Sequence, residues 1–210
     1  MKYRVAAFDF DGTLADSFGW FVGVMGEVAS RYSFKPVALS DLETIRGYSS
    51  RQLLGQWGIP MWKVPQIAAH ARNLQARDID QIKLFEGVSQ MLKALAHHGI
   101  DIGIVSSNTE RNIRSVLGPD DAALIAYYGC GASLLGKRSK LKALLRTLRA
   151  SPADGIYIGD EIRDIEAANS AGMASGVVSW GYARLDTLQA ASPTEVFRTP
   201  MDVVEGLARG

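Results

Sequence analysis

Asp9-Phe10-Asp11-Gly12-Thr13-Leu14-Ala15-Asp16 follows directly on the apolar run Tyr3-Arg-Val-Ala-Ala-Phe8. An uninterrupted apolar run ending abruptly in acids has the form of a buried parallel strand that delivers polar side chains to the carboxyl edge of a sheet. Ligands bind at that edge in open α/β sheets. Carboxylates two residues apart on a strand point to opposite faces, but a chain leaving the strand through a Gly12 turn can bring Asp9 and Asp11 to one cleft. Crowded carboxylates are unfavourable unless a proton or cation offsets them, so the pair predicts a metal. The same letters also make an ordinary solvent-facing turn, and the decision rests on the rest of the chain.

Three further runs behave like the first. Ile100-Asp-Ile-Gly-Ile-Val105 ends in Ser106-Ser107-Asn108, Gly155-Ile-Tyr-Ile158 ends in Gly159-Asp160, and Gly176-Val-Val-Ser-Trp180 ends in Gly181. Between them lie helical repeats of three and four: Val88, Met91, Leu92, Leu95 and Ala96; Leu141, Leu144, Leu145 and Leu148; Ile162, Ile165 and Ala168. This alternation predicts a parallel sheet with helices on its faces. The stretch 17–82 differs. It carries helix-like pieces (Phe18 to Arg31, Ser40 to Arg46, Ser50 to Trp57, Val64 to Arg77) and no buried strand, so it reads as a helical insertion. In Gly159-Asp160-Glu161-Ile162-Arg163-Asp164, the acids Asp160 and Asp164 are spaced to share one face of an opening helix turn. Beside Asp9 and Asp11 they offer the hard oxygen donors that Mg²⁺ prefers; alone, Asp160 would also serve as a helix N-cap.

Composition narrows the class. A net charge of +1 with scattered Lys and Arg gives no field for nucleic acid. The longest mostly apolar stretch, Ala122 to Leu135, is interrupted and too short for a membrane span. The single Cys130 forms no internal disulfide and reads as a small buried hydrophobe, and the cytoplasm is the expected compartment. His70, His97 and His98 lack metal-ligand spacing and read as surface residues.

Taken in order, these segments resemble the haloacid dehalogenase superfamily of phosphohydrolases. Its first motif, Asp-x-Asp-Gly-Thr-[Leu/Val], is matched by Asp9 to Leu14; its second, a Ser or Thr closing an apolar strand, by Ser106; its third, a helix-opening lysine, by Lys137; its fourth, Gly-Asp-x-x-x-Asp, by Gly159 to Asp164. The resemblance implies an α/β fold, a Rossmann-like parallel-sheet core (1–16 and 83–210) with a small α-helical cap inserted after the first strand (17–82). It implies Asp9 as nucleophile and Asp11 as general acid and base. Ser106 and Lys137 would hold the phosphoryl group, with Gly12, Thr13, Ser107 and Asn108 around it. Mg²⁺ would sit on Asp9, the Asp11 carbonyl and Asp160, with Asp164 in or near the second shell. Many relatives follow the third-motif lysine with proline; here Arg138 follows. Lys137 is preferred to Lys140 because it comes straight after the strand-like Ala132-Ser-Leu-Leu135 and Gly136. Ser107 would replace Ser106 after a one-residue slip.

The insertion sits where relatives of the phosphoglycolate phosphatase and β-phosphoglucomutase subgroup carry a cap that closes over the site. Arg46 or Arg51 could then meet a second anionic group on the substrate, and Trp20, Trp57 and Trp62 read as cap core or hinge packing. The function implied is hydrolysis of a small phosphorylated metabolite. A sugar phosphomutase and a non-catalytic binding protein on the same fold remain open. The dehalogenase branch lacks the second acid of the first motif, which this chain has in Asp11.

Overall fold

The computed structural model describes residues 2–35, 41–131 and 136–208. Val5–Phe8 forms β1, the third strand of a six-stranded parallel sheet with β4 (Asp101–Val105) on one side and β6 (Gly155–Gly159) on the other. The order is completed outward by β5 (Ile125–Gly129) beyond β4, and by β7 (Ala174–Val178) and β8 (Glu195–Phe197) beyond β6. Every residue of β1 is buried, and alternate residues serve opposite faces. Ala6 and Phe8 join the cluster under α5 (Val88–His97) and α10 (Pro200–Ala208); Val5 and Ala7 join the one under α7 (Lys137–Thr147) and α8 (Ile162–Ala171). A sheet covered on both faces explains why its central strands read as continuous apolar runs rather than alternating ones.

Register places the site. Phe8 pairs with Ile104 on β4 and Ile158 on β6, so Asp9, Ser106 and Asp160 all emerge at one carboxyl edge. Between β4 and β5 runs α6 (Glu110–Ala123), bent at Gly118–Pro119, and between β7 and β8 runs α9 (Leu185–Ala190). Two strands went unread in the sequence. β5 lies at Ile125–Gly129, upstream of the strand-like 132–135, which falls outside the described residues, and β8 is a three-residue edge strand too short to show a pattern.

Past β1 the chain pairs with itself in a small antiparallel ribbon, β2 (Ala15–Asp16) with β3 (Lys83–Leu84). The helical stretch between them contains α1 (Phe18–Tyr32), α2 (Leu42–Ile45), α3 (Ser50–Gln56) and α4 (Val64–Arg77). Ser49 and Gln52 make a reciprocal capping box on α3. Val24 and Val28 of α1 pack on Leu74 of α4, with Trp20, Tyr32 and Ile67 around them. Trp20 also donates to Asp78 at 3.1 Å. Trp62, by contrast, is 74% exposed and contributes to no core. His70 is half-buried against Tyr32 rather than a surface residue, and Cys130 is half-buried, its thiol pushed up to about 11 mainly by burial. No described helix is long and apolar enough to cross a membrane.

Candidate active site

Three buried acids converge where β1 and β6 end. Asp9 leaves β1, Asp160 leaves β6, and Asp164 lies in the first turn of α8; one oxygen from each lies within 4.8 Å of the others. Asp160 precedes the helix instead of opening it: Glu161 is the N-cap, and Asp164 closes a capping box by accepting the Glu161 N–H at 3.1 Å. The backbone is built tightly around Asp160. Thr13 Oγ1 donates to its Oδ1 and the Tyr182 N–H to its Oδ2, both at 2.8 Å. A Cβ on Gly12, at φ +79°, would stand 2.3 Å from Asp160 Oδ2.

Lys137, the first residue of α7, sits at the end of the helix where a cation is least favoured. Two carboxylates offset that position: its Nζ lies 2.5 Å from Asp9 Oδ2 and 2.6 Å from Asp164 Oδ1, with all three side chains buried. Burial alone would lower the lysine, but Asp164 and Asp9 raise it. Burial pushes the Asp9 carboxyl up to about 6 against the pull of Lys137. Asp160 is driven well above the usual carboxylate range, by burial first and then by Glu161, Asp164 and Asp9. For Asp164, burial is outweighed by Lys137 and Arg163, and its carboxyl stays below that range. Three hard oxygen donors in one buried cluster, two of them pushed upward by burial, fit a divalent cation of the Mg²⁺ kind. Lys140 is half-buried, and among the described residues it is Lys137, not Lys140, that pairs with Asp9 and Asp164.

Asp11 has a hydrogen-bonding shell of its own. Its Oδ1 accepts from Ser17 Oγ at 2.9 Å and Gln75 Nε2 at 2.6 Å, and its Oδ2 accepts from Asn108 Nδ2 at 3.0 Å. Burial raises its pKa and the three donors oppose the rise. The orientation of Asn108 is fixed because its Oδ1 accepts from the Thr109 N–H and from Asn112 Nδ2, which leaves its amide to face Asp11. Ser106 is buried and its Oγ accepts the Asn108 N–H at 3.2 Å; the neighbouring Ser107 is half-buried, and its carbonyl accepts from Arg72 at 3.4 Å.

A cavity of about 300 Å³ rises from Asp11 and Asn108 between the sheet edge and the helical stretch. Arg46 lines it but is committed elsewhere: Nε donates to the Tyr182 carbonyl at 2.9 Å, Nη2 to the Gly181 carbonyl at 3.2 Å, and Nη1 to Glu43 at 3.0 Å. It joins the two parts of the chain. Arg51, the other arginine expected at the cleft, is solvent-exposed. The residues that sequence reasoning missed are Gln75, Ser17, Tyr182 and Arg72. Ser17 and Tyr182 are linked through their hydroxyls at 2.7 Å. The one available signal was a glutamine beside Leu74 on a helix face that turns inward, both residues being buried.

The sequence profile described as haloacid dehalogenase-like hydrolase matches residues 6–178, from β1 to the end of β7. The chain belongs to that hydrolase family. A phosphoglycolate phosphatase of Synechococcus elongatus is 30% identical over 203 residues, 96% of each chain. The tyrosine-protein kinase PtkA of Mycobacterium tuberculosis is also 30% identical, over 198 residues covering 92% of this chain and 68% of that one. Among solved structures, a predicted phosphatase from Clostridium acetobutylicum superposes with a TM-score of 0.82 at 18% identity over 99% of both chains, a likeness of fold. This haloacid dehalogenase-like hydrolase is a phosphatase of the phosphoglycolate-phosphatase-like subgroup. Two differently named relatives at the same identity leave its substrate to be argued from the site.

Proposed function

We propose that the enzyme hydrolyses a phosphate monoester in two steps, with Mg²⁺ as cofactor and Asp9 as nucleophile. The observation that carries this reading is the separation of two acid environments at one sheet edge. Asp9 shares the Lys137, Asp160 and Asp164 cluster, while Asp11 is held apart by Ser17, Gln75 and Asn108. A carboxylate meant to attack phosphorus needs neighbouring positive charge to keep it ionised; a carboxyl meant to donate a proton needs a pKa above the ordinary.

An Asp9 oxygen attacks phosphorus and the bond to the leaving oxygen breaks, giving an aspartyl-phosphate. Asp11 gives its proton to that oxygen, so the alcohol leaves neutral. The Asp11 carboxylate then takes a proton from water as the water attacks phosphorus; Asp9 is released and inorganic phosphate departs. Ser106 and Lys137 bind the equatorial oxygens, where charge collects in the transition state. Mg²⁺ held by Asp9, Asp160 and the Asp11 carbonyl, with Asp164 beside it, would supply charge neutralisation between a carboxylate nucleophile and an anionic phosphate. Residues 1–16 and 83–210 act as the catalytic core and 17–82 as a lid, which delivers Gln75 to Asp11 and excludes water.

The test is phosphate release from a panel of phosphorylated metabolites, with and without Mg²⁺, comparing wild type with Asp9→Asn. Loss of activity by at least about 10³-fold is expected for the variant. Retained turnover would remove Asp9 as nucleophile, and accumulation of an isomer without phosphate release would mark a mutase.

A further inference from the structure

We infer that the alcohol half of the substrate is an uncharged, ring-bearing group, so that the enzyme acts on phosphate esters of aromatic alcohols in preference to those of small acids such as glycolate. This rests on the phosphatase reading above. The cavity over Asp11 is walled largely by carbon: Phe18 and Phe21 from α1, Leu53 and Leu54 from α3, Trp57 at the end of α3, and Ala68 from α4. An apolar cavity of about 150 Å³ is enough to take benzene, and this one has about twice that room. A two-carbon acid would leave most of it empty.

Charge argues the same way. A carboxylate buried among apolar side chains needs a partner of opposite charge. Of the arginines on the wall, Arg72 keeps its charge but reaches the Ser107 carbonyl at 3.4 Å, at the sheet-edge end where the phosphoryl group would sit; Arg46 pairs with Glu43 and bonds the Gly181 and Tyr182 carbonyls, and Arg163 pairs with Glu161 at 2.5 Å. The last pair cancels its own charge.

The experiment compares 2-phenylethyl phosphate, ethyl phosphate and 2-phosphoglycolate, all alkyl esters, so that the ring is not confused with the better leaving group of a phenol. With Mg²⁺ the expected kcat/KM for the phenylethyl ester exceeds each of the others by about tenfold or more. In Asp9→Asn, calorimetry is expected to show the same order of binding whether or not turnover occurs. Ala68→Phe, which fills the cavity, is expected to bring the phenylethyl-to-ethyl ratio toward unity; should that variant not fold, Ala68→Leu is expected to reduce the ratio in the same direction. Equal or weaker binding of the phenylethyl ester, or a ratio indifferent to a folded cavity-filling variant, would overturn the inference. Absence of turnover on all three esters, with the phenylethyl ester still bound most tightly, would instead count against the phosphatase reading and leave the ring pocket standing.

Discussion

Gly12 and Asp160 show how little room the site leaves. With φ at +79° and a hypothetical Cβ 2.3 Å from a buried carboxylate oxygen, Gly12 meets both a conformational and a steric requirement. Gly12→Ala is expected to lower unfolding stability by about 2 kcal/mol or more and to reduce metal-dependent activity at least about 100-fold. Urea unfolding together with Mg²⁺ titration would check both. The same cluster sets a pH dependence. The Asp9 carboxyl rises from 3.8 to about 6 on folding, so in that window the native state holds more protons than the unfolded chain. Its contribution to stability is therefore full below 3.8 and is lost as pH rises through about 6. Asp160, shifted the same way, adds to the loss, while Asp164, shifted downward, acts below this window. In chelator the urea midpoint is expected to fall between about pH 4.5 and 6.5, to fall less in Asp9→Asn, and to recover with Mg²⁺.

At the scale of elements, the candidate site residues stand out in the sequence because each terminates a strand or opens a helix. Asp9, Ser106 and Asp160 follow apolar runs, which places them at one sheet edge, while Lys137 is marked by the family resemblance and begins an amphipathic repeat. Gln75 had no such signal: it is a polar residue within a helix, and only the packing of α4 over the sheet brings it to Asp11. Tyr182 lies in a loop whose course depends on Gly181 passing against Asp160. Arg46, expected at the cleft, does line the cavity, but its bonds to the Tyr182 and Gly181 carbonyls had no signal in the sequence. Gln75 also yields a prediction. Its N–H stabilises the Asp11 carboxylate, so Gln75→Leu is expected to let Asp11 keep its proton to higher pH. The alkaline limb of the kcat/KM profile is then expected to move upward, with kcat reduced about tenfold.

For the molecule as a whole, the parallel core was readable from alternation of strand and helix, while its outer strands were not. β8 is three residues long and β5 lies within a stretch rich in tyrosine and glycine, so neither stands out as a long aliphatic run. The stretch 17–82 was readable as helical because it lacks strand-like runs, but its interior shape, and therefore the cavity, emerges only from α1, α3 and α4 together.

The ribbon of Ala15–Asp16 against Lys83–Leu84 has an engineering consequence. The two places where the chain leaves and re-enters the sheet layer are adjacent, and Asp16 faces Lys83 across one rung. A two-residue Asn-Gly turn is the natural way to join strands at that spacing, so residues 17–82 mark a cassette with a ready-made splice point. Excision with such a turn is expected to leave a folded protein that still releases phosphate slowly from ethyl phosphate and has lost its preference for ring-bearing esters. Grafting a relative's segment at the same rung is then expected to transplant substrate choice without touching Asp9, Asp11, Asp160 and Asp164.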